Sequence, residues 1–140
     1  MAKFKPIMEG ELTLPDPVLF KACVYDGAHV EYEEIRKAIK ALPGSAVTDF
    51  MRQALLDHLG SSKITIKDGM ISEAITMGGY ITDPNGRRVP AAMVARSINV
   101  GTNLRSPTRF INKAVSASRG PAEEAMRKTA EEILSKAGGQ

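Results

Sequence analysis

The hydrophobic repeat changes period along this chain, and that change restricts the possible fold more than any other feature. From Glu31 the apolar residues Ile35, Ala38, Ile39 and Leu42 recur at helical spacing. Glu31, Glu33 and Glu34 precede Arg36, Lys37 and Lys40, the order a helix dipole favours. Pro43-Gly44 stops that helix, and Ser45 is placed to cap a second one. Val47, Phe50, Met51, Ala54, Leu55 and Leu59 form the apolar stripe of the second helix, which Gly60 ends. Over KITIKDGMISEAITM the period becomes two, with Ile64 and Ile66 alternating against polar residues and Asp68-Gly69 as a hairpin turn. Asp83-Pro84-Asn85-Gly86 makes a second turn, since proline suits its second position and glycine its last.

Helical spacing then returns. Pro90 opens a short helix over 91–98 that Gly101 closes, and a loop with Pro107 leads into Phe110, Ile111, Ala114 and Val115 at helical spacing. Gly120-Pro121 is read as the start of a separate last helix. In it Glu123 to Arg127, Glu124 to Lys128 and Glu132 to Lys136 are favourable i,i+4 pairs. Its small-residue side, with Ala122, Ala125, Met126 and Ala130, suits close packing on a sheet or a neighbouring subunit. Ahead of all this, Pro6, Pro15 and Pro17 interrupt short apolar runs, and VLFKACVY at 18–25 reads as one strand at the end of an arm. The predicted fold is α+β, a small antiparallel β-sheet packed against a long helix and a C-terminal helix. Residues 1–30 form an extended N-terminal arm, and 31–140 a single domain.

Composition narrows the classes of function. A chain of 140 residues that is 43% hydrophobic can bury a core, and with aromatics at 5% that core is aliphatic. The single Cys23 cannot form an internal disulfide, which favours a reducing compartment. The N-terminal stretch has no apolar run of signal-peptide length, and no segment approaches the roughly 20 apolar residues of a membrane span, so the expectation is no membrane partner. Cys23, His29 and His58 have neither metal-ligand nor catalytic-pair spacing, and the glycines match no phosphate-cradling fingerprint. The expectation is a protein without catalysis, metal or cofactor.

Charge is the more informative property. The net value is only +3, yet no Asp or Glu occurs between Pro84 and Ala122, while Arg87, Arg88, Arg96, Arg105, Arg109, Lys113 and Arg119 all do. Such a segment is a solvated basic face, or one that meets an acidic protein surface or a polyanion. The two helices around Pro43-Gly44 loosely resemble a helix-turn-helix, but only Arg52 and Gln53 stand where base readers would. Phosphate contact without sequence readout fits the basic segment better, and a small sequence-independent nucleic-acid-binding protein is the alternative reading.

The order of elements, with Gly101-Thr102 after a short helix, then Arg105, Pro107, Arg109 and Phe110, then AEEAMRKTAEEILSKA, resembles the head-to-tail joining or tail-completion proteins of tailed bacteriophages. Asn99, Val100 and Arg109 depart from that pattern, so neck connector, tail terminator and tail-completion protein are all compatible with it. The resemblance implies a structural virion protein assembled in the host cytoplasm as a ring, joined to neighbouring connector or tail proteins around a channel where non-specific DNA contact occurs. The basic segment and this loop together single out Arg87, Arg88, Arg96, Arg105, Arg109, Phe110 and Lys113 as candidates to face an interface or DNA, with Phe110 read either as the buried anchor of the short helix that Pro107 opens or as a partner contact. The arm through Leu12 to Phe20 is expected to be ordered by a neighbouring subunit.

Overall fold

A computed structural model describes residues 3–4 and 20–138. In chain order the elements are β1 (Lys3–Phe4), α1 (Lys21–Lys40), α2 (Asp49–His58), β2 (Leu59–Ser61), β3 (Thr65–Lys67), β4 (Met70–Met77), β5 (Tyr80–Thr82), β6 (Arg88–Pro90), α3 (Ala91–Val100) and α4 (Phe110–Gly138). The α+β class is as the changing period predicts.

Helix α1 begins ten residues before Glu31, so the expected arm boundary at Val30 falls inside it and the expected strand at 18–25 is helical from Lys21. The run VLFKACVY is too uniformly apolar to reveal its period. From Lys21 onward the buried residues Cys23, Val24, Gly27, Ala28, Glu31, Ile35 and Ile39 follow helical spacing. The rest of the expected arm, including Leu12, lies outside the described residues.

Helix α2 starts later than expected. Thr48, not Ser45, is its cap, accepting a hydrogen bond from the Met51 N–H at 3.1 Å. Phe50, assigned to the apolar stripe, is 49% exposed, whereas Leu55 on the same helix is fully buried.

The sheet is built around β4. Residues Ile71, Glu73, Ile75 and Met77 point to the buried side of this strand. Strands β2 and β3 pair along one run of β4, with Ser61 opposite Ile75 and Thr65 opposite Ser72, so the outer strand carries one excess residue. Across the interruption the Ser62 N–H donates to the Ala74 carbonyl and the Ser62 hydroxyl accepts from the Ala74 N–H. Strand β1 pairs antiparallel with β4, Phe4 opposite Glu73. The Asp68-Gly69 turn has φ of 52° and 75°, the left-handed pair that a two-residue hairpin demands. Strands β5 and β6 form a separate hairpin closed at Asp83–Gly86, as expected, with the Asp83 carboxylate accepting from the N–H groups of Asn85 and Arg87.

The largest departure is α4. The expected short helix and the expected last helix are one element of 29 residues, with Pro121 inside it. Phe110, Ala114, Ser118, Ala122, Met126 and Ala130 are all buried at intervals of four, and that stripe packs along α1. The two helices are antiparallel: Phe20, Cys23 and Val24 cluster with Met126 and Ala130, while Ala28, Ile35 and Ile39 share a cluster with Phe110 and Ala114. Burial of the stripe on both sides of Pro121 outweighs the one backbone bond that proline cannot make. Glu123 and Glu124 are therefore mid-helix residues. The ion pairs of α4 among the described residues join Arg127 to Glu124 and Glu131, in place of the expected pairs.

Candidate interaction surface

The stretch from Asn99 to Phe110 is held as a rigid corner between α3 and α4. Gly101 has φ of 83°, and a Cβ there would lie 2.8 Å from the Pro107 nitrogen, so only glycine fits. Thr102 and Arg105 exchange backbone hydrogen bonds at 2.8 and 3.2 Å, closing a small turn. The last carbonyls of α3 are satisfied by the loop: the Thr108 N–H donates to Ile98 at 3.0 Å and the Arg109 N–H to Asn99 at 2.9 Å.

Asn99 is the pivot of this corner. Its side-chain oxygen accepts from the Ile111 N–H at 2.9 Å, capping α4, and its amide donates to Asn112 Oδ1 at 2.7 Å. A residue in the last turn of α3 thus caps the start of α4. Arg109 enters α4 at φ 58°, an uncommon conformation for a non-glycine residue, held by its bond to Asn99.

The loop displays Leu104, which is 98% exposed, and α3 and α4 enclose an open groove of about 810 Å³. Met93 and Val100 from α3 and Ile111 and Val115 from α4 give the groove its apolar lining, with Arg96 and Arg119 as its cations. Met93 is 61% exposed, so this is an apolar surface open to solvent.

The residues expected at an interface separate into groups. Arg96 lies in the groove, together with Arg119. Arg109 and Lys113 are exposed at the start of α4. Arg105 is also exposed, but its guanidinium donates to the Ala46 carbonyl at 3.2 Å, which fastens the loop to the connection between α1 and α2. Arg87 and Arg88 belong to the β5–β6 hairpin and do not line the groove; Arg88 lies 4.7 Å from the centre of the Tyr80 ring. Phe110 is not a surface residue. It is buried in the main core cluster with Ile98 and Leu55, because the corner turns it inward as the first residue of α4.

Sequence reasoning missed the groove itself and the capping role of Asn99. An Asn-Val-Gly sequence at a helix end is a local hint of a cap, but its partner lies beyond the intervening loop and depends on that loop's path.

The other candidates for chemistry are dispersed. Burial pushes the Cys23 thiol above its usual pKa, aided by the nearby Asp26 charge, so it is a poor thiolate. His29 stacks between Tyr25 and Tyr32 on α1, and His58 Nδ1 lies 2.8 Å from the Ala54 carbonyl. No group of three potential metal ligands occurs among the described residues. The proposed base readers pair within their own helix, Arg52 with Asp49 at 2.7 Å and Gln53 with Asp57 at 2.8 Å. No described helix is long and apolar enough to cross a membrane. Comparison with protein-family models, curated proteins and solved structures finds no match.

Proposed function

We propose that this protein is a structural subunit of a tailed-bacteriophage head-to-tail junction, acting as a neck or tail-terminator component in an oligomeric ring. The observation that carries this reading is the open, largely apolar groove between α3 and α4, two helices joined by a loop on which Leu104 is 98% exposed. An exposed apolar patch of this kind marks a surface suited to protein-protein contact. When the contacting surfaces differ, repetition of the contact closes a ring if the rotation between neighbours closes, and otherwise builds an open filament. The resemblance in the Gly101-Thr102 to Phe110 pattern supplies the phage assignment.

Mass measurement by light scattering on the full chain, alone and with the purified particles of its phage, tests the proposal. The expected result is a discrete multiple of the 15.1 kDa subunit, free or bound to particles. A chain that stays monomeric at every concentration and is absent from particles overturns it.

Sequence-independent nucleic-acid binding is the second reading, favoured because Arg109, Lys113 and Arg119 are exposed and form no ion pair among the described residues. It predicts retention of duplex DNA of arbitrary sequence with a steep loss of affinity as salt rises.

A further inference from the structure

We propose that the α3–α4 groove is the seat for the segment Glu9–Pro17 of a second copy of this chain. The inference rests on the ring reading and names the contact that would build the ring.

The occupant must satisfy both parts of the groove. Its lining is apolar and its cations are Arg96 and Arg119, within a stretch of sequence that holds no carboxylate. A nucleic-acid backbone offers charge but nothing for Met93, Val100, Ile111 and Val115 to cover. A two-fold contact between two grooves would cover the apolar side chains but set arginine against arginine, a like-charge juxtaposition. The sequence EGELTLPDP offers both requirements: Leu12 and Leu14 for the apolar lining, and Glu9, Glu11 and Asp16 with no basic residue among them. Its two prolines reduce the backbone freedom lost on docking.

Tethering favours a neighbour's segment over the chain's own. Phe20, three residues after Pro17, clusters with Met126 and Ala130 on α4, whereas the groove is lined by α4 only as far as Arg119. Three extended residues reach about 10 Å. The separation of Arg119 and Met126 along the helix is already about 10 Å at the usual rise. The stretch is held at its other end too, since Phe4 pairs with Glu73 on β4 of the same chain, so a path around α4 into the chain's own groove would have to fit between these two anchors. The tether thus lies toward one end of the α1–α4 pair and the groove toward the other, an arrangement in which every copy can both give and receive.

Crosslinking between full-length chains tests the proposal. One chain carries Leu12→Cys, the other Met93→Cys, and a short bismaleimide joins them; the native Cys23 is buried. The expected result is a covalent two-chain product that requires both variants in the mixture. Adding Arg96→Glu and Arg119→Glu to the second chain should cut the yield at least about tenfold, since like charges then meet. Adding Glu9→Lys, Glu11→Lys and Asp16→Lys to the first chain should restore it, which excludes misfolding as the cause of the loss. Absence of the mixed product, or a product formed only within one chain bearing both cysteines, overturns the proposal. Light scattering on the same samples separates it from the ring reading. Mixed product in a species of only two chains keeps the seat and rejects the ring, and a ring that gives no mixed product does the reverse.

Discussion

Asn99 and Glu31 are the residues whose surroundings make the sharpest demands. With its carboxamide Asn99 caps α4 and ties Asn112, so Asn99→Ala removes an acceptor from a helix start. The expected loss is about 1 to 2 kcal/mol in urea unfolding, with Asn99→Asp retaining most of the stability because the acceptor and the favourable dipole survive. Equal midpoints for Asn99→Ala and the parent would show that the cap contributes nothing. Glu31 is 1% exposed, and its Oε1 has no hydrogen-bond partner among the described residues. Burial raises its carboxyl pKa above the ordinary 4.5, and desolvation raises Glu73 in the same direction. A raised folded-state value means that the protonated form is preferred in the fold. The contribution of these groups to stability is therefore fullest below about pH 4.5 and falls as pH rises through the raised value. Glu31→Gln should raise the melting temperature at pH 7, by the equivalent of roughly 1 to 3 kcal/mol, and leave it nearly unchanged at pH 4. A lower melting temperature for the variant at pH 7 would mean that the carboxylate has a partner in the fold.

At the scale of elements, α4 shows how packing overrides a local stop. Gly120-Pro121 reads as a boundary because proline removes a donor and disfavours helical geometry before it. The glycine tolerates that restriction, and the buried series from Phe110 to Ala130 continues through the site. Pro121→Ala should therefore leave the fold intact and stabilise it, by up to about 3 kcal/mol less the entropy gained by the unfolded chain. Thermal unfolding followed by circular dichroism measures this. A fall in stability would show that α4 needs the proline, for instance to set its path along α1. The hairpins were legible because their turns are chemically specific, Asp68-Gly69 and Asp83 to Gly86 both forming as read. The start of α1 was not, because a run apolar on every side carries no period.

For the whole molecule, the question is which charged residues are free to meet a partner. Arg105 is occupied by the Ala46 carbonyl, whereas Arg109 and Lys113 are exposed without ion pairs among the described residues. Replacing Arg109 and Lys113 with Ser should leave the unfolding curve within about 0.5 kcal/mol of the parent, as for other surface substitutions. On the proposed ring reading it should weaken assembly more at low salt than at high salt, because exposed charges are screened. Unchanged assembly across salt concentrations would limit the interface to the groove and Leu104. By itself the sequence determined the α+β class, the two hairpin turns, the break at Pro43-Gly44, the corner glycine and the basic segment, all of which follow from short-range backbone and charge rules. Tertiary structure decided the length of α1, the unity of α4, the inward turn of Phe110 and the capping role of Asn99. It also decided which arginines share a groove. Each of these depends on what a residue packs against far along the chain, and local sequence carries no record of that partner.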